Sequence, residues 1–311
     1  MKKIFVPRKK NSDIDRLDFE ILSACALKKP REFLLIHPEY KLKIIERLKL
    51  AYFLFLRRRG YPVAYITRQK EFFGLDFYVN KNVLIPRPET ELMVEEANKK
   101  LSTSDKNALM IDVGTGSGCI PISIAKTLKQ KKNWRQKNLT IYATDISRVA
   151  LRVADKNARE HKIKIQLFKG DLLKPIIKKH PFISSISSNF SSLIITANLP
   201  YLTRKQFDKE PSIKREPKKA LVADNKNGLA LYEKLLKQIG RWTYLAGRQA
   251  ADDGQKTTDN EPRIAFHIIM EIDPKQTDEM KTLIKKYLPR ANVEIKKDLA
   301  GLDRIVIATL D

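Results

Sequence analysis

Apolar positions in the first sixty residues recur at helical spacing. DRLDFEILSACAL places Leu17, Ile21, Leu22 and Cys25 on one face, and YKLKIIERLKLAYFLFLRRRG continues the pattern to a stop at Gly60. Pro30 and Pro38 cut this stretch into short helices. The pattern then changes. KEFFGLDFYVNKNVLIP sets aromatic and β-branched residues around Gly74 and adds a turn-like Asn80-Lys81-Asn82, which predicts a hairpin. Pro86 and Pro88 end it; Pro88 suits a first helical position, and Glu89 and Glu91 favour a helix N-terminus.

From about residue 109 strands and helices alternate: LMIDV and CIPISIAKTLK, TIYATD and SRVALRVADKNAREH, KIQLFKGD, SLIITANLPY and ALYEKLLKQI, RIAFHIIMEI, and finally RIVIATL. This rhythm predicts a parallel α/β sheet. Two polar stretches, near 182–192 and 246–263, read as surface-loop insertions. The expected organisation is a helical unit over 1–68, a hairpin and linker over 69–87, and an α/β domain over 88–311.

Composition narrows the classes. An apolar fraction of 42% over 311 residues supplies a real core. Cys25 and Cys119 lie far apart without CxxC spacing, which argues for a reducing compartment and against a disulfide framework or zinc knuckle. His37, His161, His180 and His267 are scattered, so no metal site is expected. MKKIFVPRKKNSD has an apolar run of only three residues, and no stretch approaches the ~20 of a membrane span; a soluble cytoplasmic protein is expected. The net charge of +25 attracts polyanions or acidic proteins, or equally reflects lysines dispersed over solvated faces.

The chemistry lies at the predicted strand tips. In LMIDVGTGSGCIPISIA, Asp112 ends a strand and Gly114, Thr115, Gly116, Ser117 and Gly118 form a loop before a helix. Glycines there let the chain turn sharply and let a ligand lie against the backbone. The GxGxG spacing is one residue tighter than the dinucleotide GxGxxG and suits a ligand without phosphate. Asp145 ends the second strand, where a carboxylate accepts both hydroxyls of a ribose, or else caps the helix starting near Ser147. Asp171 and Leu172 end the third, where an adenine would lie; an Asp there is also a common turn former. Together the three tips describe an adenosine crevice that fits S-adenosylmethionine better than NAD.

The fourth strand runs into Asn198-Leu199-Pro200-Tyr201. The Asn198 side-chain oxygen and the Leu199 carbonyl can accept both N–H groups of a planar NH2, aiming its lone pair at a methyl carbon. Pro200 stiffens the turn and Tyr201 offers a ring against a planar substrate. In isolation the tetrad would read as an ordinary Asn-Pro turn.

GLDFYVNKNVLIPRPETELMVE, IDVGTGSGCIPISIA, ATDIS, GDLL, NLPY, EPKKALVADNKNGLALYEKLL and KKDLAGLDRIVIA together resemble the bacterial peptide chain release factor glutamine N5-methyltransferases, from about residue 61 onward and more weakly before it. The most distinctive pieces are PRPETE and DLAGLDR. The resemblance implies a Rossmann-like class I methyltransferase sheet joined by a β-hairpin to a small N-terminal helical, substrate-recognising domain. It implies S-adenosylmethionine held by Gly114 to Gly118, Asp145, Leu172 and Asn198, and a glutamine held by Asn198 to Tyr201. The implied partner is a class 1 release factor, methylated at its Gly-Gly-Gln glutamine. One position departs: the family usually shows two prolines after the Asn, whereas Leu199 precedes Pro200 here. NLPY is the form of ribosomal RNA adenine-N6 dimethyltransferases, so an adenine-N6 enzyme acting on RNA or DNA is the alternative. In those enzymes, however, the glycine loop lies near the N-terminus, and here about a hundred residues precede it.

Overall fold

The computed structural model describes residues 14–102, 107–131, 138–181, 190–223, 225, 227–252 and 264–310, without the side chains of 244–252. Four helices open the described chain: α1 (Arg16–Leu27), α2 (Arg31–Ile36), α3 (Ile44–Arg58) and α4 (Val63–Thr67). The Asp15 carboxylate caps α1 by accepting the Leu17 N–H. Leu22, Leu34, Leu50, Phe53 and Ile66 make a small core of their own, and Arg57 on α3 pairs with Asp18 on α1 at 2.5 Å. The outer side of α3 exposes Ile45, Leu48, Tyr52 and Phe55.

Strands β1 (Gln69–Phe72) and β2 (Leu75–Tyr78) form the expected antiparallel hairpin. Its Phe72 and Phe77 are buried with the core of the following sheet rather than with the helices before it. A 3-10 turn at Pro88–Thr90, with Pro88 at its first position, leads into α5 (Glu91–Ser102).

Among the described residues the sheet has seven strands, β3 (Ala108–Val113), β4 (Leu139–Asp145), β5 (Gln166–Lys169), β6 (Ser192–Ala197), β7 (Ala265–Glu271), β8 (Asn292–Lys297) and β9 (Asp303–Leu310), ordered β5-β4-β3-β6-β7-β9-β8. Strands β3 and β6 are buried along their whole length because both faces are covered. Leu109, Ile111 and Val113 face one core, and Ala108 and Met110 face the other. The covering helices are α6 (Cys119–Gln130), α7 (Arg148–Glu160), α8 (Lys174–Lys179), α9 (Arg204–Lys209), α10 (Ala230–Asp252) and α11 (Thr277–Tyr287). The strand order reverses between β3 and β6, which opens a crevice at their C-terminal ends.

Three expectations need correction. The sheet is mixed rather than parallel, since β9 runs antiparallel to both β7 and β8. Strand β8 was not expected: NVEIKK is short, charged and only half-buried, as an edge strand is. The loop expected from about 246 begins as helix: α10 runs on to Asp252. Residues 253–263, most of the earlier insertion (182–189) and the first 13 residues lie outside the described set. Among the described residues no helix is long and apolar enough to cross a membrane, and no group of three or more His, Cys, Asp or Glu could hold a metal ion.

Candidate functional site

Backbone hydrogen bonds stitch the tips of β3, β4 and β5 together. Gly114 and Thr115 donate their N–H groups to the Thr144 carbonyl at 2.9 and 3.0 Å, and Gly170 donates to the Asp145 carbonyl at 3.0 Å. The Asp145 carboxylate accepts from the Gly116 N–H at 3.0 Å and the Ser147 N–H at 2.8 Å. The cap of α7 is Ser147 itself, whose hydroxyl accepts from Ala150, so Asp145 is not spent on capping. Gly114, Gly116 and Gly118 all take left-handed backbone. A Cβ on Gly116 would meet only the Gly114 carbonyl at 3.9 Å, so the space in front of it is open to a ligand. A Cβ on Gly114 would lie 3.0 Å from the Leu199 side chain, which brings the glycine loop against the fourth tip. The buried Ser117 carbonyl accepts from Asn157, whose side chain also exchanges two hydrogen bonds with Tyr78, so the hairpin steadies the loop.

At the third tip, burial alone would raise the Asp171 carboxyl, but Lys234 at 2.8 Å and Lys174 at 3.0 Å together hold it below its ordinary value. Leu172 beside it is buried and left-handed. Beneath the loop, Asp112 is 1% exposed. Its Oδ1 accepts from the Thr196 hydroxyl at 2.7 Å and its Oδ2 has no hydrogen-bond partner. Burial pushes its carboxyl up to about 6, with the nearby Thr115 and Thr196 hydroxyls pulling the other way. The folded protein therefore takes up this proton before the unfolded chain does as pH falls. The cost of the buried charge is felt in full above pH about 6 and is relieved on the way down to 3.8. Asp112→Asn is expected to gain on the wild type by about 1–3 kcal/mol between pH 4 and 8. Thermal melts at both pH values check this; a difference between the two proteins that ignores pH refutes it.

The fourth tip is held from behind. The Asn198 Nδ2 donates to the Thr90 hydroxyl at 3.1 Å and to Glu271 Oε2 at 2.9 Å, and the Thr90 hydroxyl donates to the same Oε2 at 2.6 Å. The Tyr201 hydroxyl donates to Glu271 Oε1 at 3.2 Å. The Leu199 N–H donates to the Tyr232 hydroxyl at 3.1 Å, and that hydroxyl donates to the Glu271 carbonyl. The Asn198 NH2 is thus the inward end of the amide, facing two acceptors that lie side by side, 2.6 Å apart, and among the described residues no donor engages its Oδ1. A planar NH2 group placed before this turn would meet an unengaged amide oxygen beside the Leu199 peptide.

Comparison with known proteins bears on this site. Residues 8–67 match the PrmC N-terminal domain model and residues 88–185 the methyltransferase small domain model. Over 279 residues the chain is 34% identical to the release factor glutamine methyltransferase of Flavobacterium psychrophilum, covering 88% of this chain and 84% of that protein. The chain belongs to the release factor glutamine methyltransferase family. The Coxiella burnetii member is 30% identical over 298 residues, covering 96% of this chain and 92% of that one. The solved protein-(glutamine-N5) methyltransferase (release factor-specific) from Alicyclobacillus acidocaldarius is 21% identical, with a TM-score of 0.37 over 76% of this chain and 99% of that one. At that score the superposition adds nothing to the sequence relationship.

All the sequence-derived candidates of this methyltransferase fall along four adjacent strand tips: Gly114 to Gly118, Asp145, Asp171 with Leu172, and Asn198 to Tyr201. Sequence reading missed the residues that hold them. Thr90 lies inside PRPETE, whose pattern gives it no role, and Glu271 lies in HIIMEI at the end of β7, the fifth tip, where no motif marks it. Glu271 is 1% exposed. Burial raises its carboxyl, opposed by the Thr90 and Tyr201 hydroxyls and by Arg304. Burial likewise raises the Tyr201 and Tyr232 phenols, so both remain hydrogen-bond donors at neutral pH. Arg87, also of PRPETE, pairs with Glu216, whose other oxygen accepts the Ile85 N–H at 3.0 Å. The segment after the Asn198–Tyr201 turn is thereby fastened to the strand-to-helix linker.

Proposed function

We propose that the protein transfers a methyl group from S-adenosylmethionine to the side-chain amide nitrogen of the glutamine in the Gly-Gly-Gln motif of class 1 peptide chain release factors. The observation that carries this reading is the inward-turned Asn198 NH2, which leaves Oδ1 as the acceptor. A glutamine nitrogen is a poor nucleophile because its lone pair is delocalised into the carbonyl. Donating one N–H to Asn198 Oδ1 and the other to the Leu199 carbonyl turns that lone pair out of conjugation and aims it. Pro200 fixes the turn and Tyr201 supports the flat amide with its ring. No base is needed beforehand, because the nitrogen becomes acidic once alkylated.

Gly114, Thr115, Gly116, Ser117 and Gly118 would hold the cofactor against the backbone, Asp145 its ribose, and Asp171 and Leu172 its adenine. The open space before Gly116 and the acceptor-rich Asp145 fit such a group. When bound, S-adenosylmethionine supplies the electrophilic methyl carbon. The helical residues over 1–68 serve to recognise the acceptor protein in this reading, and the setting is cytoplasmic. Methyl-labelled S-adenosylmethionine offered with release factor, RNA and DNA side by side tests it. Label is expected on the release-factor glutamine. Label on adenine instead would vindicate the alternative raised by Leu199 and the charge of +25.

A further inference from the structure

We propose that Glu271 is the positioning residue that locks the Asn198 amide with its oxygen toward the acceptor nitrogen; this rests on the function proposed above. A side-chain amide turned by 180° has nearly the same shape, so only its neighbours decide which end faces the substrate. Glu271 Oε2 lies 2.9 Å from the Asn198 Nδ2, and an ionised carboxylate only accepts. The second neighbour is biased the same way. The Thr90 hydroxyl gives its one proton to Oε2 at 2.6 Å and so presents only lone pairs to Asn198, from which it accepts at 3.1 Å. A turned amide would set its oxygen against two acceptors.

The same residue also steadies the turn. Its main-chain carbonyl takes the Tyr232 hydroxyl, and that hydroxyl's oxygen receives the Leu199 N–H at 3.1 Å, which fixes the Asn198–Leu199 peptide just before the Leu199 carbonyl. Its remaining carboxylate oxygen holds Tyr201 at 3.2 Å. Glu271 closes β7, an interior strand hydrogen-bonded to β6 and β9, so it has little room to shift. It acts through Asn198, Leu199 and Tyr201 without itself reaching the substrate.

The test reverses the donor and the acceptor. Glu271→Gln should lower kcat on a glutamine acceptor about 100-fold, with KM and cofactor Kd little changed, because both amide orientations become available. Asn198→Asp should be worse, since it opposes two carboxylates. In the double variant the new glutamine's NH2 can donate to one oxygen of the new aspartate and leave the other facing outward. We expect that variant to recover at least about tenfold in kcat over Asn198→Asp alone, a non-additivity that a merely structural Glu271 would not produce. A wild-type kcat in Glu271→Gln, or a double variant no better than Asn198→Asp, overturns the proposal. If Glu271→Gln does not fold, Thr90→Val decides: about tenfold lost in kcat at constant KM supports the lock, and an unchanged kcat overturns it. A wild-type enzyme that methylates no glutamine defeats the proposed function instead.

Discussion

Asn198→Ala is expected to lower kcat for methyl transfer roughly 10²–10³-fold, the cost of losing one preorganised polar contact to the reacting group. The Kd for S-adenosylmethionine should rise far less. The asymmetry follows from where the partners sit. The glycine loop and Asp145 are tied to Thr144, Ser147 and Gly170, none of which depends on the Asn198 side chain. Truncation removes the only outward oxygen of that side chain and also takes a donor away from the buried Glu271 carboxylate. An under-satisfied buried charge costs about 1–3 kcal/mol, so Tm should drop and rates must be compared well below it. Calorimetric titration of the cofactor alongside single-turnover kinetics measures both quantities. A kcat close to wild type would remove Asn198 from the chemistry.

Much of this site was readable because each tip announces itself locally. A glycine triplet after Asp112, an acid ending TIYATD and a proline-aromatic break after LIITAN are short-range signals, and the sheet gathers them without further information. What holds the tips is not local. Thr90 and Glu271 are 181 residues apart in the chain, and Asn198 and Glu271 are 73 apart. A glutamate ending an apolar strand carries no motif of its own, and only the β6–β7 pairing gives it a partner. The turn over Leu199 shows the same limit. The sequence alone shows only that Leu199 stands where the family usually has a proline, yet Leu199 has an N–H that proline lacks, and that N–H is anchored on Tyr232. The buried Leu199 side chain also packs close to Gly114. The mixed end of the sheet was hidden for another reason: β8 alternates only Val293 and Ile295 with polar residues, too short a pattern to stand out, and without β8 as its neighbour β9 reads as one more parallel strand.

Gly228→Ala should be among the most damaging single-methyl additions in the molecule, and the reason is the carbonyl of Tyr201. Gly228 has φ +79°, and a Cβ there would overlap the Tyr201 carbonyl oxygen and the Gln276 Nε2. Those two atoms are themselves bonded at 2.9 Å, and Gln276 also bonds the Asn227 carbonyl at 2.7 Å, so neither is a loose end that can swing aside. Relief must come from moving the Tyr201 backbone, and with it the turn that presents Asn198 and Leu199. Gly301 supplies the control, with φ +78° and nothing within 4 Å of its would-be Cβ. Gly301→Ala should therefore cost only the left-handed strain, about 1–2 kcal/mol. Gly228→Ala adds the overlap and should cost on the order of 3–5 kcal/mol, with kcat falling in the protein that remains folded. Denaturant unfolding of the two variants gives the comparison directly. Equal destabilisation would mean that backbone angle alone requires glycine at 228, and that the approach to Tyr201 is looser than the structure shows.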